Sequence, residues 1–505
     1  MSMKRRTISG IIFTVVFFFI APLSISVAMA DIEDCGERVN NSVGKLLECV
    51  TLDGVRAHQA ALQVIADANG GTRAAGTLGY EESVSYVVDT LAAAGYDVVL
   101  KPFEYTYMPP ATLEQLTPVG ATHETGVFTG SGIASVTASV TPVDLALGNA
   151  SWPADPSTST SGCEAADFTG FPAGNIALVQ RGTCFFSVKA ANAEAAGATA
   201  TIIFNQGNSP TRMGLLVGSA STFPDGSPSN LTAPVVGASF PSGVALSVPG
   251  STAFINVDPP EQVIQYNVLA ELDGKYTDNV VMAGAHLDSV QAGPGIQDNG
   301  SGSAALLETA VQMAKVKPVN TVRFAWWGAK ESGLFGSTAY VSGLEQEELD
   351  EIALYLNFDE IGSPNYVFFI YDGDDSDGVG AGPGPEGSAQ IEALFESYYE
   401  AHGLPFKGTD LSSNSDYGAF IAAGIPSGGI FTGAEVIKTA EEAAIWGGTA
   451  GEQYDPCYHL ACDTFDNISL EALGVNADAV AFSVLRYAMN TEDINGVKGK
   501  GNFYP

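Results

Sequence analysis

The chain has 505 residues, with 57 acidic against 21 basic side chains and a formal net charge of −36. A surface this negative repels phosphate backbones and anionic lipid, which argues against nucleic-acid binding. The length allows two or three domains with sizeable cores.

Lys4, Arg5 and Arg6 precede an apolar run from Ile8 to Val27, and Ala28-Met29-Ala30 supplies a small-x-small pattern. This combination predicts a secretory signal peptide over residues 1–30, cleaved after Ala30; an uncleaved anchor is the alternative. No later run is long and apolar enough to span a bilayer. The mature chain is therefore expected off the membrane, secreted or, if not exported further, periplasmic. Six cysteines suit an exported protein. Their spacing suggests the local pairs Cys35 with Cys49, Cys163 with Cys184 and Cys457 with Cys462, although spacing alone leaves the connectivity open. None stands in a CxxC pair, which disfavours cysteine-based zinc or redox chemistry.

From Asp31 to about Asn69 the chain reads as helical, with Val43, Leu46, Leu47 and Val50 at mixed three and four spacing. Glu81 to Ala94 gives a clearer amphipathic helix, and Asp97 to Tyr107 then alternates like a strand. Composition changes near Leu113. From there to about Pro260 the chain is rich in Gly, Ser, Thr, Pro and Val, with short strand-like runs and frequent turn signals. One helix interrupts it, Phe186 to Ala196. These shifts predict a β-rich domain over 113–260 inserted into an α/β domain made of 31–112 and 261–495, with a tail over 496–505. Inside the insertion, NIALVQRGTCFFSVKAANAEAAGATATIIFNQ and then APVVGAS resemble the protease-associated (PA) domain, in that family's order of strand, turn, helix and strand. The resemblance implies a module that flanks an active site and has no chemistry of its own.

After Pro260 the α/β pattern resumes. Strands are expected at Gln265–Leu272, Asn279–Ala285, Thr321–Trp327, Ala353–Asp359 and Tyr366–Tyr371. Helices are expected at Ser303–Val316, Ser337–Leu344, Ser388–His402 and Leu470–Met489. No solenoid-period repeat is present. The Gly/Asp/Pro stretch Asp372–Gly387 reads as a loop, whose acidic part Asp372–Asp377 is either a calcium site or a solvated turn.

Four segments place metal-binding side chains at strand ends or in a constrained loop. VVMAGAHLDSVQAGPGIQDNGSG delivers His286, Asp288 and Asp298 after an apolar run. TVRFAWWGAKESG delivers Lys330 and Glu331, and ALYLNFDEIGSPN ends on Asp359. YDPCYHLACDT carries His459 between Cys457 and Cys462. Strand ends are where open α/β sheets bind ligands. A strand-end carboxylate taken alone is more often a cap or a solvated group. Together, two imidazoles and three carboxylates suffice for two cations sharing one carboxylate.

With these segments in order, and with NSDYGAFIAAGIPSGGIFTGAE between them, the chain resembles the M28 family of co-catalytic zinc aminopeptidases over roughly Val50 to Met489. The resemblance implies a three-layer α/β/α peptidase domain with a mixed, mainly parallel central sheet, carrying the inserted PA domain. It implies two zinc ions, one held by His286 and Asp359, the other by Glu331 and His459, with Asp298 bridging. Cobalt or manganese would suit the same ligands. Asp288 would hold His286 in orientation, and Tyr458 would hydrogen-bond a developing oxyanion. The substrate would be a peptide or protein, which loses its N-terminal residue.

The family pattern breaks at one telling place. The usual adjacent glutamates, a general base followed by a ligand, are here Lys330-Glu331. Asn414 also stands where arginine is common in the family. Two zincs with three carboxylate ligands leave a formal +1, and a lysine ammonium raises that further. Loss of a positioned base costs about 10²–10⁴ in rate. Three readings follow: an active aminopeptidase with an altered base, a metal-binding relative that binds peptides with little turnover, and another zinc hydrolase or acyl-transfer activity on the same scaffold, with glutaminyl-cyclase chemistry as the example. Residues Gly428–Thr432 either border a side-chain pocket or pack the core. Nothing in the sequence indicates an oligomeric state.

Overall fold

The computed structural model describes residues 35–147, 158–209, 212–380 and 382–500. The expected leader over 1–30, its cleavage point after Ala30, and residues 501–505 of the tail lie outside the described residues.

In chain order, the first part gives α1 (Val43–Leu47), α2 (Leu52–Ala68), α3 (Leu78–Ala94) and β1 (Val98–Tyr107). Then come β2 (Thr112–Thr117), β3 (Ala121–Thr122), β4 (Thr125–Val127), β5 (Ala134–Pro142), β6 (Ile176–Gln180), α4 (Phe186–Ala195), β7 (Ala200–Phe204), β8 (Val235–Ala238), α5 (Phe240–Leu246) and β9 (Thr252–Val257). The chain continues through β10 (Glu261–Leu272), β11 (Tyr276–His286), α6 (Gly300–Met313), β12 (Asn320–Trp327), α7 (Phe335–Ser342), α8 (Gln346–Asp350), β13 (Ile352–Phe358) and β14 (Phe369–Tyr371). It closes with α9 (Ser388–Ala401), β15 (Lys407–Thr409), α10 (Tyr417–Ala422), β16 (Ser427–Phe431), α11 (Ala440–Trp446), α12 (Leu470–Met489) and α13 (Glu492–Asn495).

One eight-stranded sheet runs in the order β1-β10-β12-β11-β13-β16-β14-β15. Its four central strands, β12, β11, β13 and β16, are mutually parallel. Antiparallel pairings add β10 and β1 on one side and β14 on the other. Central parallel strands are buried on both faces, and the side-chain period of two splits them cleanly. Val281, Ala283, Phe324, Trp326, Leu354 and Leu356 enter the core under α2, α3, α6 and α12. Met282, Ala325, Trp327 and Tyr355 enter the opposite core with α7 and α10. There the Tyr355 and Phe420 rings stack with centroids 3.9 Å apart. Helices on both faces of one mainly parallel sheet make the expected three-layer α/β/α arrangement.

The second sheet, β3-β2-β9-β5-β6-β7-β8-β4, takes all its strands from within 112–257. Leu113, Ile176, Leu178, Ile202, Phe204 and Val236 form one of its cores. The inserted segment leaves after β1 and returns at β10, and those strands are antiparallel neighbours with Tyr107 opposite Glu261. The three disulfides are Cys35–Cys49, Cys163–Cys184 and Cys457–Cys462, as the spacing suggested.

Several expected boundaries move for physical reasons. The helical stretch before Asn69 is broken after Leu47, and Thr51 starts α2 by accepting the Gly54 N–H at 3.1 Å. Helix α6 begins at Gly300 rather than Ser303, because Asn299 caps it through the Gly302 N–H at 2.9 Å. The strand expected over Tyr366–Tyr371 is confined to Phe369–Tyr371. Most of Gly428–Thr432 is strand β16, a central strand of the sheet. A Cβ on Gly428 would press on Ile391, and one on Gly429 would meet the Asn357 carbonyl at 2.0 Å. These glycines pack the core.

Candidate metal centre

The carboxyl ends of β11, β12 and β13 face the same way because the strands are parallel. His286 is the last residue of β11, Lys330 and Glu331 follow β12 within a few residues, and Asp359 comes directly after β13. Asp298 arrives on the loop before α6, and His459 on the short loop closed by Cys457–Cys462. Every ligand position expected from the motifs therefore converges on one spot. His286 Nε2 lies 3.1 Å from Asp298 Oδ1 and 3.0 Å from Asp359 Oδ1. His459 Nε2 lies 3.2 Å from Asp298 Oδ2 and 3.2 Å from Glu331 Oε2. Each oxygen of Asp298 thus faces a different imidazole.

The donor set fits a pair of divalent cations. Both Asp298 oxygens, Glu331 Oε1 and His459 Nε2 are buried without a hydrogen-bond partner. Orphaned buried lone pairs are costly unless something positive is meant to sit among them. Two donors on one tetrahedral zinc, each at about 2.0–2.2 Å, lie roughly 3.3 Å apart, close to the spacings seen. The field points the same way. Burial alone would lower the His459 pKa, yet the Asp298 and Glu331 carboxylates facing it push it up to about 10.

Lys330 sits among the same groups. Its Nζ is 3.4 Å from Asp359 Oδ2, 3.5 Å from Glu331 Oε2 and 3.6 Å from Asp298 Oδ1. The residue is 8 % exposed. Burial favours the neutral amine, but the carboxylates outweigh it and hold the ammonium well above its ordinary range. Tyr458 stacks on His459, ring centroids 3.8 Å apart, and borders the adjoining cavity.

Asp288 stands against His286 through both its main chain and its side chain, and it serves a second element as well. The group that meets His286 Nδ1 at 3.0 Å is the Asp288 main-chain carbonyl, while its carboxylate is 3.6 Å from that nitrogen. The carboxylate accepts the backbone N–H groups of Lys330 at 3.1 Å and Glu331 at 3.2 Å. It therefore pins the loop that carries those two side chains.

Sequence reasoning missed four supporting groups. Asp463 accepts the N–H of Gln297 at 2.8 Å and of Asp298 at 3.0 Å, fixing the Asp298 backbone. Ser415 Oγ donates to Asp359 Oδ2 at 2.7 Å. Arg73, fully buried, donates to the carbonyls of Leu287, Pro294 and Gly295, and so ties both ends of the loop after β11. Glu360 is the fourth: it is 4 % exposed, adopts a left-handed backbone with φ of 51°, and keeps Oε1 unpartnered. Burial and the Asp298 and Asp359 carboxylates hold its pKa well above the ordinary range. Ala329 and His459 share that left-handed conformation, at φ of 55° and 57°. Non-glycine residues seldom adopt it, and functional sites concentrate such exceptions.

A cavity of about 670 Å³ opens beside the cluster, bordered by Lys330, Asp359 and Glu360 and by the rings of Tyr371, Tyr417 and Phe431. Phe431 is the one part of Gly428–Thr432 that reaches it. In the acidic loop considered for calcium, Asp372, Asp374 and Glu392 bring ligand oxygens within 4.8 Å of one another, and two of these residues also accept backbone N–H groups. Asp372 accepts from Ser376 and Asp377 N–H groups, and Glu392 accepts from Gly373 and Asp374.

Fold and site together define a three-layer α/β protein with a divalent-metal type of ligand cluster at the carboxyl edge of its sheet. The Peptidase family M28 model matches residues 267–484, and the PA domain model matches 143–246. An aminopeptidase of Pseudomonas aeruginosa is 49 % identical over 460 residues, spanning 89 % of this chain and 83 % of that protein. A probable lipoprotein aminopeptidase of Mycobacterium tuberculosis is 42 % identical over 463 residues, spanning 89 % and 87 %. Among solved structures, an aminopeptidase from Aneurinibacillus sp. strain AM-1 superposes with a TM-score of 0.55 at 26 % identity, covering 88 % of this chain and 96 % of that one. A zinc aminopeptidase from Bacillus subtilis shares the fold, with a TM-score of 0.62 at 24 % identity over 86 % and 94 %. The chain belongs to peptidase family M28 and carries a PA domain.

Proposed function

We propose that this protein is a zinc metallo-aminopeptidase that releases the N-terminal residue of peptides, working outside the cytoplasm with Lys330 in the place of a carboxylate base. The observation that carries the reading is the paired arrangement around Asp298, with one imidazole and one further carboxylate on each side. His286 and Asp359 would hold one ion, Glu331 and His459 the other, and Asp298 both. When bound, such a pair lowers the pKa of a water molecule and polarises a carbonyl oxygen. The chain's own residues supply the rest. Asp288 and Asp463 fix the backbone of the ligand loops, and the Cys457–Cys462 bridge restrains His459. Tyr458, stacked on that imidazole, would donate its hydroxyl to an oxygen gaining charge. The aromatic cavity suits a large apolar side chain on the substrate's first residue. Three disulfides and the leader-like residues 1–30 support export.

Purified protein supplied with zinc should contain about two ions per chain and release anilines from aminoacyl-anilides. Absence of both bound metal and release would overturn the reading. Lys330 itself favours a second one, a metal-binding relative that holds peptides with little turnover. Its ammonium is within 3.4–3.6 Å of three carboxylates and lies where a proton acceptor is wanted. Bound zinc and measurable peptide affinity without turnover would decide for it.

A further inference from the structure

We infer that Glu360 is the anchor for the substrate's free α-amino group, a role that rests on the aminopeptidase reading above. Three observations place it. It borders the cavity beside the ligand cluster. Its Oε1 is buried and has no hydrogen-bond partner, although the residue is only 4 % exposed. One of its oxygens also lies within 4.8 Å of a carboxylate oxygen of both Asp298 and Asp359. That last figure matters because an α-amino nitrogen is tied to the reacting carbonyl carbon through a single Cα, about 2.5 Å away. An anchor for it must stand one hydrogen bond beyond that, beside the ligand carboxylates, and not deeper in the side-chain cavity. Glu360 stands there.

The backbone shows how it gets there. Asp359 is the first residue past β13, and the left-handed turn at Glu360 carries its side chain toward the cavity beside Asp359. The turn is held from both sides: Glu360 N–H donates to Asn299 Oδ1 at 3.2 Å, and its carbonyl accepts the Thr432 N–H at 3.0 Å. An ammonium brings three N–H donors and no acceptor, and a carboxylate is acceptor-only. Here the pairing carries a second task. Lys330 places a resident ammonium among the metal ligands, which repels an incoming one. Once the two ammonium groups draw off its proton, the Glu360 carboxyl facing the same cavity offsets that charge where the substrate must enter.

The test compares zinc-loaded wild type with Glu360→Gln, nearly equal in shape, and with Glu360→Met. Calorimetry with leucine and with its des-amino analogue, 4-methylpentanoate, reads the amino group directly. Both variants should bind leucine at least ~10-fold more weakly, as expected when one member of a charge-assisted hydrogen bond is removed. They should bind 4-methylpentanoate as wild type does and retain wild-type zinc content. With leucyl-anilide the loss should fall on KM more than on kcat. Equal leucine affinity in wild type and Glu360→Gln overturns the inference. So does a change confined to lysyl- over leucyl-anilide preference, which would make Glu360 a side-chain selector. If wild type binds leucine no better than 4-methylpentanoate and releases no aniline, the aminopeptidase reading fails before this one is reached.

Discussion

Lys189 and Lys330 are both buried, one in each half of the molecule, and their surroundings are opposite. In the PA half, Lys189 Nζ donates to the Ser161 carbonyl and approaches Cys163 Sγ at 3.5 Å. Burial dominates there and brings its pKa down to about 8, against weaker opposition from Asp167 and Asp144. In the peptidase half, Lys330 is ringed by carboxylates and driven the other way. The first lysine is a strut that ties a loop to a helix. The second is a counter-charge in a cluster with more negative groups than local structure requires. Excess unpaired charge, rather than burial, separates a site from a scaffold in this chain.

The largest effect that could break this contrast is metal removal. Dialysis against a chelator should reduce peptidase activity to background, and zinc should restore it, with little change in the PA half by near-ultraviolet dichroism. Next comes Lys330→Glu, expected to raise turnover of aminoacyl-anilides at least ~10-fold, the low side of what a positioned base supplies. A slower variant would show that Lys330 has a positive role. Third, Asp463→Asn should weaken zinc binding about 10–100-fold, because it loosens the two N–H contacts that fix Asp298. Competition with a chromogenic chelator measures it. The smallest effect concerns Lys189. Its folded pKa is below the unfolded value, so between about pH 8 and 10.5 the unfolded chain binds the extra proton. Wild type should therefore gain stability relative to Lys189→Met as pH rises through that window, read from urea denaturation at several pH values. A flat difference would mean that the Ser161 contact, not burial, governs this amine.

Much of the architecture was legible because apolar runs and their period report directly on burial. The run VRFAWW and the run ALYLNF could only be strands buried on two faces, and both are. Strand β16 was missed because SGGIF carries its burial in backbone contact, with Ile391 and Asn357 pressing on the glycines, and glycine has no hydropathy to read. The ligands were legible because each follows a strand or sits in a disulfide loop. The supporting groups were less so. Asp463 stands inside the DPCYHLACDT segment and Ser415 inside NSDY, yet their importance lies in contacts hundreds or tens of residues away in sequence. Glu360 was overshadowed by Asp359, since only a left-handed turn lets two successive carboxylates serve one cavity. Arg73, amid Gly, Thr and Ala, carried no local signal at all.

The register at Tyr107 and Glu261 has an architectural corollary. Strands β1 and β10 face each other over ten consecutive residue pairs, so the peptidase sheet already contains both legs of a hairpin whose bend has been replaced by a whole domain. Residues 108–260 hang from the sheet like a bag from two adjacent threads. Exchanging that cargo for a two-residue turn would leave every pairing of the larger sheet in place.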